Sequence, residues 1–95
     1  MRKLYKYELD CGRMGVVDGL FIADEDEVNE AMGKYVYFGE ILGKHSDIGC
    51  DLQESQLTVK SDDPGFVERL EAVIGSETIS GYNPLDNLEE GDKNE

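Results

Sequence analysis

The sequence predicts an α+β domain: a mostly antiparallel sheet of four to five strands with two helices on one face, in the order β-β-α-β-β-β-α. Three observations predict it. Short runs of β-formers recur with glycine-bearing or polar turns between them. Two segments carry helix caps and helically spaced apolar residues. Each of those helices has one apolar stripe, which a sheet would cover. At 95 residues the chain has room for a single core. Residues 1–88 therefore read as one domain and 89–95 as an acidic disordered tail.

Residues 3–9 alternate, with Tyr5, Tyr7 and Leu9 on one side, as in a strand. Gly12-Arg13-Met14-Gly15 is a loop, and residues 16–23 (Val-Val-Asp-Gly-Leu-Phe-Ile-Ala) form the second strand of a hairpin. Asp24 stands at an N-cap, with Glu25, Asp26 and Glu27 in the first turn, where carboxylates suit the helix dipole. Val28, Ala31 and Met32 make the stripe of this first helix, and Gly33 ends it. Tyr35–Leu42 carries large apolar groups on both sides and reads as a central strand. Weaker strands cover 48–52 and 56–60. The second helix starts at Asp62 or Asp63 with Pro64 in its first turn. It carries Phe66, Val67, Leu70, Val73 and Ile74 on one face and closes at Gly75. Residues 78–88 read as irregular, but Ile79, Tyr82, Leu85 and Leu88 are enough to pack them back on the body.

The charge is strongly negative, −13 in all. Without residues 86–95 the chain still has 17 acids against 8 bases, so the acidity belongs to the folded part. Such a field repels nucleic acid and anionic membranes and attracts basic protein surfaces. No apolar run approaches the roughly 20 residues that span a bilayer, and the basic N-terminus has no apolar segment behind it. The expected location is cytoplasmic, with neither membrane nor nucleic-acid binding. Two cysteines, Cys11 and Cys50, are too few for a disulfide framework. Exposed strand edges leave a homodimer open.

No arrangement predicts catalysis. Gly39-Glu-Ile-Leu-Gly43-Lys44-His45-Ser46 departs from a phosphate-binding loop: its glycines stand one residue too close, His45 separates Lys44 from Ser46, and no amphipathic helix follows. His45, Cys11 and Cys50 with Asp47 or Asp51 lack paired metal-ligand spacing, so neither metal nor cofactor is expected. His45 with Cys50 matches no nucleophilic signature.

Two binding arrangements remain. One is an acidic face of Asp24, Glu25, Asp26, Glu27 and Glu30 on the first helix with Glu68 and Glu71 on the second. It would mimic a phosphate array and occupy a basic groove, with steep salt dependence. The other is a nest of glycine-bearing cationic loops, with Arg13, Lys44, His45, Ser46, Tyr82 and Asn83 as ligands for a phosphate-bearing, nucleotide-like molecule.

The segments Asp10-Cys-Gly-Arg-Met-Gly15, Tyr37-Phe-Gly-Glu-Ile-Leu-Gly-Lys-His-Ser46 and Ser80-Gly-Tyr-Asn-Pro-Leu-Asp86 resemble those of small acidic proteins carried by bacteriophages and related bacterial genomes. No named activity attaches to that group. The resemblance implies a context in which such proteins block a host enzyme or defence system, directly or by sequestering signalling nucleotides. The leading expectation is thus a non-enzymatic acidic inhibitor of a host or defence protein with a basic surface. A nucleotide-binding protein is the alternative, and a small structural or oligomerising protein a further one.

Overall fold

A computed structural model describes residues 1–42 and 47–88. The chain runs β1 (Arg2–Asp10), β2 (Val16–Asp24), α1 (Glu25–Ala31), β3 (Tyr35–Gly39), β4 (Ile48–Asp51), β5 (Leu57–Ser61), α2 (Pro64–Ile74) and β6 (Thr78–Gly81). Single 3-10 turns occupy Gly12–Met14, Glu54–Gln56 and Pro84–Asn87. An antiparallel four-stranded sheet, ordered β5-β1-β2-β6, accompanies a separate β3–β4 ribbon. The α+β class and the mostly antiparallel sheet are as predicted.

The two central strands are β1 and β2, paired from Arg2 opposite Asp24 to Asp10 opposite Val16. Their alternation divides the core. Tyr5 and Phe21, stacked with ring centroids 5.5 Å apart, face one way with Tyr7, Val17 and Ala23. Leu4 and Ile22 face the other. On the first face lie Val28 and Ala31 of α1, Val36 of β3 and Ile48 of β4; on the second lie Val67 and Leu70 of α2. The helices therefore cover opposite faces rather than sharing one. The contiguous apolar run Phe21-Ile22-Ala23, buried throughout, requires this, because neighbouring strand residues point to opposite sides.

Capping fixes both helices. Asp24 accepts from the Asp26 N–H while Glu27 reaches back to the Asp24 N–H, a reciprocal box at the start of α1. Asp63 accepts from Gly65 and Phe66, Pro64 takes the first turn, and left-handed Gly75 ends α2. The stripe of α2 is only partly used. Val67 is buried, but Val73 is 81% exposed, and Phe66 and Ile74 are exposed too. Only Val67 and the half-buried Leu70 pack against Leu4 and Ile22 of the sheet.

Two expectations about strands are corrected. Tyr35–Leu42 is not a central strand: β3 stops at Gly39 (φ +78°), and among the described residues it pairs with β4 on one side and makes a single bridge, Val36 to Leu88, besides. Val36 is fully buried while Tyr35 and Tyr37 point outward, which a tyrosine tolerates because its hydroxyl stays hydrated. Residues 78–81, read as irregular, instead form β6 on the outer edge of β2. Gly19 makes this possible, since any Cβ there would overlap the Tyr82 backbone. Residues 89–95, expected to be a disordered tail, lie outside the described residues.

Candidate functional site

The cationic loops come first. Arg13 sits in the 3-10 turn at the tip of the β1–β2 hairpin, where Asp10 Oδ1 accepts the Gly12 N–H at 2.9 Å and left-handed Gly12 and Gly15 turn the chain. Its side chain is exposed and makes no ion pair among the described residues. Lys44, His45 and Ser46 lie outside the described residues, so their convergence with Arg13 is not on view. Tyr82 follows β6 and sets its ring edge-on against Phe38, with centroids 5.6 Å apart. Phe38 in turn meets the Tyr7 ring, so Tyr82 extends an internal aromatic row.

Asn83 serves the fold and does not fit a ligand role. It is 5% exposed, its Oδ1 accepts the Leu85 N–H, and its Nδ2 donates to Thr78 Oγ1. Its carbonyl accepts from Asn87 Nδ2. With both ends of the amide held by the fold and the side chain buried, Asn83 is not presented toward a ligand.

The seven predicted acidic-face residues are not brought together. Those of α1 and of α2 lie on opposite sides of the sheet, and several are consumed internally. Asp24 accepts the Asp26 N–H and the Met1 ammonium, which together hold its carboxyl below the usual range. Glu25 pairs with Lys3 at 2.9 Å and Glu71 with Arg2 at 2.9 Å. Asp26, Glu30 and Glu68 remain exposed, without ion pairs among the described residues.

One feature of the α1 side is not apparent from charge. Glu27, Glu30 and Lys34 rim a shallow cleft of about 200 Å³ whose floor is Ala31, Leu85 and Leu88. The segment after β6 builds it: the Asn83 cap starts the Pro84–Asn87 turn, and Leu88 bridges back to Val36. Asp86, exposed in that turn, adds a further carboxylate to the segment. The sequence signal was the apolar pair Leu85 and Leu88 in an otherwise polar segment; their proximity to α1 was not readable.

Among the described residues, no group of three or more His, Cys, Asp or Glu side chains is placed to hold a metal ion, and no helix is long and apolar enough to cross a membrane. Compared with family models, curated proteins and solved structures, the chain shows no match.

Proposed function

We propose that this protein is a non-enzymatic binding module whose α1 side receives a basic segment of a partner protein. A single observation carries the reading: the cleft between α1 and the Pro84–Asn87 turn joins an apolar floor, Leu85 and Leu88, to a rim in which two carboxylates, Glu27 and Glu30, outnumber one cation, Lys34. That combination suits a Lys- or Arg-rich segment with one apolar side chain, the apolar group supplying affinity and the charges steering the approach. The excess of acid over base favours a basic partner generally. In the context implied by the phage resemblance, that partner is a host or defence protein held inactive.

The nucleotide-binding alternative has less support, because Asn83 is engaged internally and Tyr82 packs against Phe38. Titration of the protein with a short Lys/Arg peptide carrying a central leucine tests the leading reading. Binding that weakens steeply with salt and drops at least several-fold in Glu27→Gln/Glu30→Gln supports it. Binding indifferent to salt and to those substitutions counts against it, as does stabilisation by nucleotides alone.

A further inference from the structure

Two thiols and one cavity meet where the end of β1 approaches β4. Cys11, just beyond β1, and Cys50, within β4, both line a cavity of about 240 Å³ together with Leu9, Met14, Asp47 and Ile48. Both are free and partly exposed, so a small molecule entering the cavity can reach them. Nearby, Tyr7 is fully buried and its hydroxyl has no hydrogen-bond partner, alone among the buried side-chain N and O atoms of the described residues. Burial pushes that hydroxyl up, with Cys50 and then Cys11 adding to the effect. A buried hydroxyl left unpaired is costly.

The two cysteines are not equivalent. Gln56 Nε2 donates to Cys50 Sγ at 3.4 Å. Cys11 Sγ instead faces the Leu9 carbonyl at 3.8 Å, a contact only a protonated thiol makes as donor. Burial pushes the Cys11 thiol up, with Cys50 and Asp10 reinforcing it.

We propose that Cys11 and Cys50 are a redox pair that a hydroperoxide closes to a disulfide, stapling β1 to β4. The Cys50 thiolate attacks one peroxide oxygen, forming an S–O bond as the O–O bond breaks and hydroxide leaves. Cys11 gives up its proton and attacks the Cys50 sulfur; the S–S bond forms, the S–O bond breaks, and the oxygen departs as water. Two thiols lose two electrons in all, and hydrogen peroxide becomes two waters. The staple matters because the β3–β4 ribbon shares no ladder with the main sheet. A bond there closes a loop of roughly 40 residues of the unfolded chain.

The test uses the full chain, reduced and then exposed to a small excess of hydrogen peroxide. The expected product is a monomer lighter by about 2 Da, with a Cys11–Cys50 cross-linked peptide in a non-reducing map. Its melting temperature should rise by on the order of 10 °C and fall back when the bond is reduced. Cys11→Ser should trap a Cys50 sulfenic acid that dimedone labels, whereas Cys50→Ser should give little label at Cys11. Thiols that stay free, a disulfide formed only between two chains, or over-oxidation of both sulfurs would overturn the proposal.

Discussion

Arg2 and Glu71, 69 positions apart, form a two-pronged ion pair: Arg2 Nε and Nη2 donate to the two Glu71 carboxylate oxygens at 3.1 and 2.9 Å. The same Nη2 also reaches Glu77 at 2.9 Å. One guanidinium thus ties the start of β1 to the last turns of α2 and to the segment after it. An acid that charge counting assigns to an outward face is here a structural bolt.

Arg2→Ala should therefore lower stability by about 1 kcal/mol, a value held down because both side chains are about one-third exposed. Arg2→Lys should restore only part, since an ammonium cannot match a carboxylate with two prongs. Urea denaturation of the three proteins reads this directly, and equal midpoints would show that the pair is ornamental.

Gly19→Ala should cost about 2–3 kcal/mol. The new Cβ would strike the Tyr82 backbone, whose N–H donates to the Asp18 carbonyl at 3.0 Å. Relief requires β6 to leave the edge of β2, so amide exchange in 78–82 should accelerate well beyond that in β1. Uniform acceleration across the sheet would contradict the local origin.

Tyr7→Phe should raise stability of the reduced protein by roughly 1 kcal/mol, because it removes a buried hydroxyl that has no partner and keeps the ring. The ring contact with Phe38 is retained. A lower unfolding midpoint in the variant would mean that the hydroxyl is satisfied in solution.

Asp24 makes a pH prediction. Its carboxyl is lowered first by the Asp26 N–H and next by the Met1 ammonium. A lowered folded value means that its stabilisation is fully present above the ordinary carboxylate value of about 4. That stabilisation is lost as pH falls through the folded value. Asp24→Ala should thus be less stable than the parent at about pH 7 and pH 5, with the gap closing toward about pH 2. Denaturation curves at those three values check it, and a gap that persists undiminished in acid would refute it.

Local chemistry was legible. The caps at Asp24 and Asp63, Pro64 at the start of α2, Gly75 at its end and the β1–β2 hairpin follow from residue types whose preferences act over a few positions. What failed needed neighbours. Tyr35 and Tyr37 look like core residues until the strand lies at the rim of a two-stranded ribbon. Thr78–Gly81 is a short stretch ending in Ser80 and Gly81, too brief to stand out, and becomes a strand because β2 offers it unpaired backbone groups.

The candidate site divides the same way. Charge sign and magnitude, and the absence of any recognisable catalytic spacing, are properties of composition and were readable from the chain alone. Which carboxylates face water was decided by the tertiary structure. Arg2 and Lys3, adjacent in sequence, point to opposite faces of β1 and so neutralise acids on different helices, Glu71 on α2 and Glu25 on α1. The same alternation sends Leu4 to α2 and Tyr5 to α1. Sequence thus determined an acidic, capped α+β domain. Packing of both faces of a two-residue period decided where its acids, its cleft and its two thiols lie, because only the fold brings residues tens of positions apart into contact.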